Sequence, residues 1–266
     1  MNYWTLLFAS LILYLIPSFS LIAKTEKITT RHNYFLLSIG LVAHVVLIYL
    51  SLFNQGINLN FSNALLVISW ITILFFWFMN RNTSYEGLEY LTLLPAIIIL
   101  IFHPFINQPN YVSDYSSLNA VLHIIIAILG YSLLAFGAIF SIFILIIQNN
   151  IHSTKNTTEA FKSEISLLTM EKILFRIYWV GFIFLTITLI TGIFFSEEVL
   201  GISLEISHKI IFSILSWLVY GGLLLGRARA GWRGKKAIIF SLIAFILLFL
   251  SYLGSKFVLE VIIGVN

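Results

Sequence analysis

Long runs of apolar residues, separated by short polar segments, follow one another along the whole chain. Each run comes close to the ~20 residues that an α-helix needs to cross the hydrocarbon core of a bilayer. The pattern predicts eight transmembrane helices, at about 3–23, 34–53, 62–79, 88–107, 118–148, 174–195, 208–226 and 237–262. We therefore expect an all-α fold, a polytopic membrane helix bundle, with a single integral membrane domain over residues 1–266.

The composition also indicates a membrane protein. Of the 266 residues, 60% are hydrophobic and 10% are charged, whereas a soluble domain carries roughly a quarter charged residues. The net charge of +4 does not indicate nucleic-acid binding, because the basic residues are spread over alternate connecting segments. The lipid bilayer is the first predicted partner, and nucleic acid is not expected to be one.

Connecting segments with and without basic residues alternate, and this alternation predicts the topology. Lysine and arginine fall mainly in or beside the connecting segments, at 24–31, 81, 155–176 and 227–236. The other connecting segments contain neither residue type: 54–61, 108–117 and 196–207. Because basic residues collect on the cytoplasmic side, both termini are predicted to lie outside. No basic segment precedes the first run, so we expect that run to be a retained helix rather than a signal peptide.

Histidines in and beside the apolar runs are the candidate functional residues. His44 lies in the middle of the second run, His123 about one turn into the fifth and His208 at the start of the seventh. An imidazole inside a bilayer is costly and usually marks a functional path or a cofactor. The chain has no cysteine, which excludes thiol redox chemistry, iron–sulfur clusters and covalent haem attachment. A metal or haem held by neutral imidazole nitrogens is the remaining cofactor class.

His123 and His208 are predicted to lie at a similar depth, because both of their helices begin at the outer face. Two facing imidazoles at one level suit bis-histidine ligation of non-covalent haem b. Asn119, one turn before His123, is a candidate hydrogen-bond partner for its second nitrogen. Lys209 is a candidate partner for a haem propionate, and an ordinary interfacial lysine is the alternative. Two histidines that are merely hydrogen-bonded at the interface remain the structural alternative.

The roles of two histidines, His44 and His103, have alternatives. His44 is either a ligand or is hydrogen-bonded to a neighbouring helix, because an imidazole without a partner near the bilayer centre costs free energy. His103 precedes Pro104 at the outer end of the fourth run, where water is near, and an interfacial role is favoured over ligation.

Small residues predict close helix packing in two of the runs. The fifth run, which is unusually long, contains Gly130, Gly137 and Ser141, and the seventh contains Gly221, Gly222 and Gly226.

Several segments of the second half resemble a known family. The run Ser207-His208-Lys209, the run Ser216-Trp217-Leu218-Val219-Tyr220 and the run Leu225-Gly226-Arg227 to Lys235-Lys236 resemble the C-terminal signature of CcsA/ResC-type cytochrome c assembly proteins, and more closely that of their YpjD/HemX-like relatives. Leu122-His123 with Gly130-Tyr131 resembles an earlier helix of that family, and Met170-Glu171-Lys172 with Thr191-Gly192 resembles the helix that follows it. The most specific match covers 118–258.

The resemblance implies a haem-handling protein of the bacterial inner membrane with histidine ligands on its outer side. His123 matches a family histidine at the start of its helix. His208 falls where the haem-presenting loop of the family joins the next helix. The segment 196–205 lacks the tryptophans of that loop, and Leu225 stands where the synthases carry a histidine. We therefore expect haem handling, cytochrome maturation or its regulation, and not an enzyme that ligates haem.

Two other function classes remain as alternatives. An electron-transfer subunit working with quinone would need paired histidines across the bilayer, and the cytoplasmic half of the bundle offers none. A transporter commonly uses buried carboxylates, and Glu89 and Glu260 lie only near the ends of runs. Haem is the expected ligand, and another membrane protein is a candidate partner.

Overall fold

The computed structural model describes residues 2–22, 30–53, 58, 60–81, 85–106, 118–152, 162–163, 165–194, 208–258 and 262. In this part of the chain the helices are α1 (Tyr3–Ile22), α2 (Thr30–Phe53), α3 (Phe61–Met79), α4 (Leu88–Ile106), α5 (Leu118–His152), α6 (Leu167–Phe194), α7 (His208–Ala230) and α8 (Gly234–Phe249). A π-helical turn, Leu250–Gly254, continues α8. The strands β1 (Tyr85–Glu86) and β2 (Lys162–Ser163) pair antiparallel.

The prediction of an all-helical membrane protein is confirmed. Among the described residues, the seven helices α2 to α8, with the π-helical turn counted in α8, are long and apolar enough to cross a membrane. α1 is also apolar, with 20 residues and Pro17 inside it. The count of eight spans and the side of each terminus stay predictions.

Several helix boundaries differ from those predicted. α5 has 35 residues and is the longest helix described, as its hydropathy suggested. α6 begins at Leu167 rather than at 174, and so it includes Glu171. This carboxylate is nine-tenths buried against partners from the α7–α8 region, which explains why a charged residue lies within the helix. The polar segment 149–172 is described over 149–152, 162–163 and 165–172.

Residue contacts divide the chain into two compact units. Unit 1 comprises Met1–Tyr111 and Phe143–Leu167, and unit 2 comprises Val112–Ile142 and Leu168–Asn266. In unit 1, α1 packs on α2 and α4, and α3 packs on the same two helices. Unit 2 contains most of α5 together with α6, α7 and α8. The single domain predicted over 1–266 stays a prediction.

Small residues in α5 of unit 2 allow α6 to approach closely, as predicted. A Cβ at Gly137 would lie 2.6 Å from Cε1 of Tyr178, and one at Gly130 would lie 3.0 Å from Cβ of Phe184. The Tyr178 hydroxyl also donates to the Gly137 carbonyl, at 3.0 Å, and lies 2.7 Å from Oγ of Ser141. In α7, a Cβ at Gly226 would lie 2.5 Å from Cδ2 of Trp232, whereas nothing lies within 4 Å of a Cβ at Gly222.

This contrast gives a matched pair of substitutions. Gly137→Ala is expected to lower the free energy of unfolding by about 1–3 kcal/mol, because the new methyl group displaces the Tyr178 ring. Gly222→Ala introduces the same methyl group into open space within a helix and is expected to raise that free energy by up to about 1 kcal/mol. Reversible unfolding in mixed micelles measures both values. Equal effects would contradict this account of the α5–α6 contact.

Candidate functional site

Helices α1 to α4 of unit 1 meet around His103 at one end of the unit. His103 is 1% exposed. Its Nδ1 lies 2.5 Å from the hydroxyl of Tyr3, and its Nε2 lies 2.9 Å from Oδ1 of Asn63 and 3.4 Å from Oγ of Ser51. This histidine is therefore buried among protein groups from the other three helices. Its predicted position at the outer end of the helix stays a prediction.

The amide of Asn63 fixes the tautomer of His103. Nδ2 of Asn63 donates to the carbonyl of Asn58 at 2.8 Å and to that of Ser51 at 3.3 Å. The oxygen Oδ1 consequently faces His103 and accepts from its Nε2–H. Nδ1 of His103 is then an acceptor for the Tyr3 hydroxyl. With both ring nitrogens engaged, His103 links helices rather than offering a ligand.

His44 lies deeper in unit 1 and differs from His103 in one respect. It is fully buried, and its Nδ1 lies 3.1 Å from the hydroxyl of Tyr14 on α1. Its Nε2 has no hydrogen-bond partner among the described residues. The sequence left ligation and hydrogen bonding to a neighbouring helix as alternatives. The structure provides the hydrogen bond to the neighbouring helix at Nδ1, and ligation by His44 stays a prediction.

His123 of unit 2 is held by the segment Thr191-Gly192 of α6. Its Nδ1 lies 2.7 Å from Oγ1 of Thr191, and a Cβ at Gly192 would be 3.3 Å from Cε1 of the imidazole. Oγ1 of Thr191 also lies 2.8 Å from the carbonyl of Ile187. When the single hydroxyl proton is donated to that carbonyl, the oxygen accepts from Nδ1–H, and Nε2 keeps its lone pair. The predicted partner Asn119 is exposed, and Thr191 makes the contact instead.

His208 and Lys209 form the first turn of α7, and both side chains are exposed. The segment 195–207, which precedes them, lies outside the described residues. His208 belongs to the same compact unit as His123. In the described part of the chain, no three histidine or acidic side chains gather into a group that could hold a metal ion.

At the turn between α7 and α8, Glu171 of α6 and Arg227 of α7 form a largely buried ion pair, whereas the other basic side chains of 227–236 are exposed. Oε1 of Glu171 accepts from the backbone N–H of Gly234 at 2.9 Å, and its Oε2 lies 3.7 Å from Nη1 of Arg227. The same Nη1 donates to the carbonyl of Trp232 at 3.0 Å, and the guanidinium lies 4.7 Å from the centroid of the Phe175 ring. These contacts indicate that Arg227 stabilises the fold at this turn.

Family comparison matches residues 35–263 of the chain to the model described as Cytochrome C assembly protein. The chain belongs to the cytochrome c assembly protein family. This match covers both compact units, so it extends beyond the second half of the chain that carried the sequence resemblance.

Individual members of the cytochrome c assembly protein family are similar over part of the chain. The inner membrane protein YpjD of Escherichia coli is 32% identical over 158 residues, which are 58% of this chain and 58% of YpjD. The cytochrome c biogenesis protein CcsA of Chlamydomonas reinhardtii is 29% identical over 53% of this chain and 38% of its own. CcsA of Heterosigma akashiwo is 24% identical over 74% of this chain and 73% of its own. No solved structure matches significantly.

Motif residues of this cytochrome c assembly protein also join the helices of unit 2. Trp217 Nε1 donates to Oγ1 of Thr186, at 2.9 Å, and the hydroxyl of Ser216 donates to the carbonyl of Ala244, at 2.8 Å. These bonds tie α7 to α6 and to α8. The sequence alone did not separate such packing residues from ligands, because both kinds are polar residues within apolar runs.

Sequence reasoning missed three hydrogen-bond partners of the histidines: Tyr14, Asn63 and Thr191. For Asn63 a signal was available. Asn60 caps α3, and its Oδ1 accepts from the backbone N–H of Asn63 at 2.8 Å. An asparagine three residues before another polar residue at the start of an apolar run is a recognisable helix start. Tyr14 and Thr191 carry no such local signal, since their partners lie on other helices.

Proposed function

We propose that this protein binds haem b non-covalently and serves in haem handling, cytochrome maturation or its regulation, without ligating haem to an apocytochrome itself. The observation that supports this most is the setting of His123. Its Nδ1 is engaged by Thr191, which leaves Nε2 as the ligating nitrogen. A ligating histidine generally donates its other ring N–H to an acceptor that fixes the orientation of the ring.

A haem group suits histidines that are not clustered. One or two histidines of the chain would be enough to hold it, so a larger cluster of ligands is not required. In unit 2 we assign this role to His123 and His208, with Lys209 beside a propionate. When bound, haem supplies an iron that can change its oxidation state. The residues of the chain hold the imidazoles in place and keep Nε2 of His123 unprotonated.

The proposed setting is a bacterial inner membrane, crossed eight times, with both termini external. The basic connecting segments support this orientation. The E. coli relative YpjD is itself named an inner membrane protein. Another membrane protein that delivers or receives haem is the proposed partner.

The test is spectroscopic. The full chain, purified in detergent from haem-replete cells, should show haem b with a sharp reduced α-band and a countable pyridine haemochrome. His123→Ala and His208→Ala should each lose this band or convert it to a high-spin spectrum, because one axial ligand is removed. His32→Ala, at an exposed position near the start of α2, is the matched control and should leave the spectrum unchanged.

Substitution of Thr191, the hydrogen-bond partner of His123, extends the same experiment. Thr191→Val removes the acceptor for Nδ1–H and should weaken haem binding by about 10-fold. Asn119→Ala should leave it unchanged, because that side chain is exposed. A chain that is colourless and takes up no added haem would refute the proposal, and transport would then become the leading hypothesis.

A further inference from the structure

Exposed basic side chains gather at one end of unit 2. The contacts of Glu171 with Gly234 and Arg227 bring the start of α6 beside the turn that joins α7 to α8. Around these contacts six basic side chains are exposed: Lys172, Arg176, Arg229, Arg233, Lys235 and Lys236. We call this set the basic end of unit 2.

The described carboxylates of unit 2 do not balance the charge of the basic end. Glu171 is the single acidic residue in the described part of this unit, and Arg227 already lies 3.7 Å from it. Lys235 and Lys236 also lie in the first turn of α8, which contains no acidic residue. The dipole of a helix favours acidic side chains at that position and disfavours basic ones. Because helix stability does not explain these lysines, an anion outside the chain is the favoured partner.

The α7–α8 turn is held in one conformation at a membrane surface. α7 and α8 are both long and apolar enough to cross a membrane, and the turn joins them. The backbone N–H of Trp232 donates to the carbonyl of Gly226 at 3.1 Å, and its carbonyl accepts from Arg227 at 3.0 Å. The ammonium of Lys236 lies 4.2 Å from the centroid of the Trp232 ring. A side chain that is already positioned loses less conformational entropy when it binds a ligand.

The surroundings of the basic end favour a lipid over a dissolved anion. The indole of Trp232 lies 5.3 Å from the ring of Phe240, and tryptophan is typical of the headgroup region of a bilayer. Leu225 of α7 and Ile239 of α8 are exposed apolar side chains near the same turn. Basic side chains beside exposed apolar ones match a molecule with an anionic headgroup and acyl chains.

We propose that the basic end of unit 2 binds the phosphate of an anionic phospholipid such as phosphatidylglycerol. The guanidinium groups of Arg229 and Arg233 and the ammonium groups of Lys235 and Lys236 donate to the phosphate oxygens. Arg227 takes no part, since Glu171 and the Trp232 carbonyl engage it. This lipid site shares no residue with the proposed haem site and does not depend on it.

Native mass spectrometry of the full chain in detergent tests the site. The chain is titrated with phosphatidylglycerol or with phosphatidylcholine that has the same acyl chains. Phosphatidylglycerol should bind with an apparent Kd about 10-fold or more below that of phosphatidylcholine. Arg233→Gln should raise the Kd for phosphatidylglycerol about 5-fold, because one basic residue near an anionic headgroup contributes about that factor. Lys236→Arg keeps the charge and should change this Kd by less than about 2-fold.

Arg81→Gln is the matched control, since it removes one exposed positive charge just after α3 in unit 1. It should also change the Kd by less than about 2-fold. All three variants should unfold at the same denaturant concentration as the unmutated chain. Equal Kd values for the two lipids, or equal losses at Arg81 and Arg233, would overturn the proposal. Displacement of phosphatidylglycerol by an equal concentration of dissolved glycerol 3-phosphate would assign the site to a soluble phosphate and would also overturn it.

Discussion

Asn63→Leu is expected to lower the free energy of unfolding by about 2–4 kcal/mol, because it leaves several buried polar groups without partners. The amide of Asn63 donates to the carbonyls of Asn58 and Ser51 and accepts from Nε2–H of His103. Leucine has a similar volume, so the loss comes from the unpaired groups and not from a cavity. Reversible unfolding in mixed micelles measures the change.

Ser62→Ala is the matched control, at the neighbouring position and at similar burial. Its hydroxyl makes one long contact, 3.4 Å from the carbonyl of His103. Hydrogen bonds between membrane helices average ~0.6 kcal/mol, so the control should change little. A double-mutant cycle of Asn63→Leu with His103→Leu should show a coupling energy of about 1 kcal/mol or more. Additive losses would mean that the amide does not hold the histidine.

The fold could be predicted well from the sequence, because hydrophobic run length is a strong signal in a membrane protein. Every predicted run from the second to the eighth corresponds to a helix long enough to span. The predicted start of α6 is wrong because a charged side chain interrupts the apolar run there, although Glu171 has partners beyond its own helix. Run length carries no information about contacts between distant segments.

The candidate site could be predicted only in part. Histidines within apolar runs are visible in the sequence, and so the chain alone is enough to single out His44 and His123. Their positions along their helices also follow from counting residues, and their depth in the membrane stays a prediction. Their surroundings do not follow, because a one-residue shift rotates a side chain by ~100° on a helix. Thr191 lies on α6, and no periodicity along α5 identifies it as the partner of His123.

Removal of the Glu171 carboxylate is expected to have the second large effect on stability. Glu171→Leu should lower the free energy of unfolding by about 2–3 kcal/mol, because two groups lose a charged partner. One is the backbone N–H of Gly234 at the start of α8, and the other is the guanidinium of Arg227. Glu171→Gln retains an oxygen for Gly234 and should lose only about 1 kcal/mol. Reversible unfolding in mixed micelles measures both losses.

Substitutions of two arginines test whether the loss of stability comes from the Glu171–Arg227 contact or from the charge of the α7–α8 turn. Arg227→Gln removes the ion pair and the donor to the Trp232 carbonyl, and it should approach the loss seen for Glu171→Leu. Arg229→Gln makes the same change of charge at an exposed position and should stay within about 0.5 kcal/mol. Equal losses at the two arginines would show that the charge of the turn, and not the buried contact with Glu171, determines stability. A larger loss at Arg227 would show that this basic turn joins α6, α7 and α8 through one carboxylate.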